Sequence, residues 1–86
     1  MNGFAMRNTK SKTHETAAAC YAARHAEAED LLKRITIGLP EYQKRQAEEP
    51  KNWGYAMYMG HITEQLAYVL ADLGDRSVVE AKGLDY

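Results

Sequence analysis

Eighty-six residues with 11 basic and 12 acidic side chains, a formal charge of −1, give no broad field to attract nucleic acid. The single cysteine, Cys20, excludes an internal disulfide and suits a reducing compartment, so a cytoplasmic protein is expected. The longest apolar run, Ala17–Ala23, is far shorter than the roughly 20 residues of a membrane helix, and Phe4 and Met6 do not make a signal-peptide core.

In chain order, residues 1–13 are polar and aperiodic and read as a mobile basic tail. Arg7, Lys10 and Lys12 meet no acid there, which leaves −4 on residues 14–86, the expected single helical domain. From Glu15 the chain turns alanine-rich, with Ala17, Ala18, Ala19, Ala22, Ala23, Ala26 and Ala28. Alanine is the strongest helix former, and Thr13 reads as the N-cap of a first helix over about 14–37. Its apolar stripe is Ala17, Tyr21, Ala28, Leu31, Leu32 and Ile35. Gly38 and Pro40 predict its end. Pro40 also opens a short charged connector helix over 41–49, which the Glu49-Pro50 step closes.

Asn52 predicts the cap of the next helix, over about 53–73. There Tyr55, Met59, Ile62, Leu66, Val69 and Leu73 are spaced 4, 3, 4, 3, 4, a coiled-coil-like seam. Beside it Ala56, Gly60, Thr63, Ala67, Ala71 and Gly74 form a second stripe of small residues, where another helix is expected to press close, most of all at Gly60. Gly74 predicts the C-terminal cap. Ser77 and Glu80 have capping-box spacing, which predicts a last helix over about 78–82 before Gly83. The expected fold class is all-α: an antiparallel helical hairpin with a short connector helix. At this size a folded chain hides only about 60–65% of its unfolded surface, so a single core is thin. A second copy is therefore expected to complete a four-helix-bundle-like homodimer.

The chemistry-bearing residues are few. His25 and Glu29, and His61 and Glu64, could each offer an imidazole and a carboxylate to a metal. Di-iron bundles use the reverse order, Glu-x-x-His, with further inward glutamates. Surface pairs and no metal are expected. Cys20 and His25 diverge by about 140° at 100° per residue, so they do not form a thiolate–imidazole pair. His14 with Cys20 has no zinc-ligand spacing, and no phosphate loop, nucleophile elbow or CxxC motif occurs. No catalytic residue and no cofactor is expected. Helix 53–73 lacks lysine and arginine, which makes it a poor groove reader.

Trp53, Met57 and Tyr58 lie off the Tyr55–Leu73 seam and have the composition of a partner-binding surface. The expectation is a non-enzymatic interaction module, a small regulatory protein that binds a larger one as inhibitor, antiactivator or assembly factor. The alternatives are a nucleic-acid-associated protein using the basic tail and, behind it, a helical-bundle metalloprotein. A long helix, a Leu39-Pro40-Glu41-Tyr42 joint and a long helix ending in Leu73-Gly74 is similar in layout to TraM-type quorum-sensing antiactivators. That likeness is one of helix order, and no site or activity is carried over from it.

Overall fold

Thr16 opens the first helix of the computed structural model, which describes residues 16–86. Its hydroxyl oxygen accepts from the Ala19 N–H at 3.0 Å, and the Cys20 N–H donates to the Thr16 carbonyl at 3.0 Å. The first turn is thereby capped by Thr16. The expected cap, Thr13, lies outside the described residues, as does the basic tail.

Helix α1 runs Ala17–Glu48, α2 runs Trp53–Asp72 and α3 runs Ser77–Ala81. No strand occurs among the described residues, and the all-α class stands. The described chain divides into two units, one ending at Tyr42 and one from Gln43 to Tyr86.

The predicted stop at Gly38-Leu39-Pro40 is not a stop. Both Gly38 and Pro40 lie inside α1, so the separate connector helix merges with the first helix. Left-handed glycines occur instead at Gly74 (φ 106°) and Gly83 (φ 68°). Pro40 lacks the N–H that the Thr36 carbonyl would accept, a loss of roughly 3 kcal/mol inside a helix. The helix continues because strong formers flank the fault, Leu31 to Arg34 before it and Glu41 to Glu48 after it. Exposed pairs one turn apart add to it: Arg24–Glu27 at 3.0 Å and Asp30–Arg34 at 2.9 Å. The Thr36 hydroxyl donates back to the Leu32 carbonyl at 2.9 Å.

In the second unit, Asn52 caps α2 as expected, accepting from the Gly54 N–H at 2.9 Å. The Glu49 carboxylate braces this corner. It accepts from the Asn52 amide at 3.2 Å and from the Tyr55 hydroxyl at 3.3 Å. At the other end, Gly74 N–H donates to the Ala71 carbonyl and Asp75 N–H to the Leu70 carbonyl, both at 2.9 Å. This is a Schellman motif, and the φ of Gly74 is the reason glycine stands there.

Helix α3 ends the same way: Gly83 N–H donates to Glu80 at 3.1 Å and Leu84 N–H to Val79 at 2.8 Å. The second motif carries its apolar contact, because Leu84 packs against the cluster that holds Val79. Ala67, Ala71 and Val79 are the buried core of the described residues, with Tyr68, Val78 and Leu84 packed around them. The small stripe of α2 is thus used where Ala67 and Ala71 let α3 approach. Tyr86 closes the unit: its ring stacks on Tyr68 with centroids 6.3 Å apart, and its hydroxyl donates to Asp72.

Candidate interaction surface

Along the α2 seam, Tyr55, Met59, Ile62 and Leu66 are half-buried, while Val69 and Leu73 are exposed, Leu73 by 80%. Off the seam, Trp53 is 78% exposed, Met57 73% and Tyr58 57%. Trp53 and Met57 stand one turn apart, so an indole and a thioether lie on the same side of the first turns. The Tyr58 ring lies 5.9 Å from the His61 ring. Asn52 and Glu49 fix this end of the helix, so these side chains project from a braced turn.

Gly60 is exposed, and a Cβ placed on it meets nothing within 4 Å. Within the described chain no helix presses against it. The Thr63 hydroxyl donates to the Gly60 carbonyl at 2.8 Å.

His25 Nδ1 lies 3.5 Å from Glu29 on the exposed side of α1, and Cys20 is a half-buried free thiol. Among the described residues no three His, Cys, Asp or Glu side chains converge. No helix there is long and apolar enough to cross a membrane.

Two groups went unread, wholly or in part: the α1 stripe was read as far as Ile35 but not through Ile37 and Leu39. Along α1, Tyr21, Leu31, Leu32, Ile35, Ile37 and Leu39 are all exposed, and the helix has no buried residue. Extending the 3.6-residue period past Gly38 would have found the stripe's continuation. At the C-terminus, Arg76 lies over the Tyr86 ring at 5.5 Å, and the Asp72 bond raises the Tyr86 phenol above its ordinary value. That contact joins residues 14 apart and had no local signal. The chain matches no family model, no curated protein and no solved structure.

Proposed function

We propose that this chain is a non-enzymatic interaction module, a small regulatory protein that binds a larger protein as inhibitor, antiactivator or assembly factor. The observation that supports the reading is an imbalance: three buried core residues against thirteen large exposed apolar ones among the described residues. Contiguous exposed apolar surface marks a place where another surface sits. Trp53, Met57 and Tyr58 form the partner-binding patch, because Trp and Tyr lead the residues that dominate interface energies. On this reading α1 and α2 close as an antiparallel hairpin. Two copies then assemble through Tyr55, Met59, Gly60, Ile62, Leu66, Val69 and Leu73 into a four-helix bundle.

The test is capture from the native cell with wild-type chain and with Trp53→Ser as bait. A specific partner should be held by wild type, with at least about thirtyfold weaker binding to Trp53→Ser, as a hot spot worth about 2 kcal/mol implies. Lys51→Ala, a neighbouring exposed control, should bind as wild type does. Equal capture by Trp53→Ser would remove the patch from the interface. A captured nucleic acid whose binding collapses with salt would turn the reading toward the basic tail.

A further inference from the structure

The continuity of α1 exposes a pattern that a break at Gly38 would hide. Tyr21, His25, Ala28, Leu32, Ile35, Leu39 and Tyr42 are spaced 4, 3, 4, 3, 4, 3 along one unbroken helix. That is the heptad alternation of a coiled coil, with His25, Leu32 and Leu39 at a and Tyr21, Ala28, Ile35 and Tyr42 at d. Leu32 is 53% exposed, and Ile35 and Leu39 are exposed beside it. Pro40 falls at b, on the outer face, so its missing hydrogen bond does not interrupt the seam.

We propose that a second copy of this chain seats on the α1 seam, parallel and in register. The inference rests on the interaction-module reading and gives the second copy the α1 seam instead of the α2 seam, because a parallel α1 pair holds the two α2 helices too far apart to pack on each other. Charge decides the partner and its direction. In a parallel pair each g residue meets the e′ residue five positions on, and Arg24 at g then meets Glu29′ at e, twice by symmetry. The other facing pairs are uncharged: Ala17 with Ala22′, Leu31 with Thr36′ and Gly38 with Gln43′. An antiparallel pair aligned on the same apolar layers sets Leu32 against Ile35′ and Ala28 against Leu39′. It also brings Arg24 against Arg45′ twice, a like-charge contact. Arg24 keeps its own-chain contact with Glu27, since a guanidinium has five donors. His25 at a supplies the polar layer that fixes register.

Orientation is read by single cysteines in the full chain carrying Cys20→Ala. Under mild oxidation Ala28→Cys should yield a covalent dimer, because position 28 meets its own copy. A crosslink found only when Ala28→Cys and Leu39→Cys chains are mixed would show the antiparallel pair and overturn the proposal. So would no crosslink with sedimentation equilibrium giving one chain. Glu29→Arg should raise the dimer dissociation constant at least about threefold, and Arg24→Glu with Glu29→Arg should restore it. An unchanged constant, or a loss the double exchange does not restore, overturns the pairing. Partner capture through Trp53 is read separately, so either reading can fail alone.

Discussion

Asp75 does the work that the capping-box pattern assigned to Glu80, while the Glu80 N–H donates to the Arg76 carbonyl at 3.0 Å instead of to Ser77. Its carboxylate accepts from the Ser77 hydroxyl at 2.6 Å and from the Ser77 N–H at 3.1 Å. With that N–H taken, Glu80 reaches Arg76 instead, at 3.7 Å. The Ser77 hydroxyl bond, then the backbone bond, holds the Asp75 carboxyl below its ordinary 3.8. A depressed carboxylate stabilises the fold above its unfolded value, and that contribution fades as pH falls through the folded one. Asp75→Ala should therefore lower the melting temperature at neutral pH, and the gap from wild type should narrow on acidification below about 4. A gap that stays constant down to pH 2 would mean the loss is not electrostatic. The sequence signal was sound in kind and wrong in its acceptor, because Asp75 takes the Ser77 N–H that Glu80 would otherwise reach.

At the scale of elements, the ends set by local chemistry were legible and the long helix was not. Asn52 and Gly74 bond to backbone two to five residues away, and short-range chemistry is what a sequence displays. The fate of Gly38 and Pro40 depends on whether some thirty residues of good helix formers outweigh one missing bond. Pro40→Ala measures that balance. It supplies the absent N–H to the Thr36 carbonyl and removes the ring, a gain of up to about 3 kcal/mol locally. About 0.4–1 kcal/mol is returned through a freer unfolded chain. Amide exchange at residues 36–42 should slow and the melting temperature should rise. Faster exchange there would mean that Pro40 pins a conformation α1 needs. The exposure of Trp53, Met57 and Tyr58 was legible because those residues fall off the seam. The α1 seam was not, because the reading that stopped the helix also cut the stripe at Ile35.

For the whole molecule, the buried cluster of Ala67, Ala71 and Val79 is too small to hold long apolar helices alone. Fully burying a valine side chain gives only about 1.5–3 kcal/mol. Stability on the dimer reading therefore rises with protomer concentration, since a second copy binds the folded chain and not the unfolded one. Gly60 separates the chain from the assembly. A side chain there meets open space within one chain, so Gly60→Ala should stabilise α2 by about 0.5–1 kcal/mol through helix propensity alone. Gly60→Leu tests what the second copy does. In dilute solution it should melt at or above wild type, because leucine is a good helix former with room to stand. On the α2-seam bundle it should lose, at high concentration, the rise in melting temperature that wild type gains, because overpacking a close helix contact costs about 1–3 kcal/mol, whereas on the α1 pairing it should keep that rise. A Gly60→Leu chain that gains as much as wild type would remove Gly60 from the dimer contact. One that melts low at every concentration would place its neighbour within the chain itself.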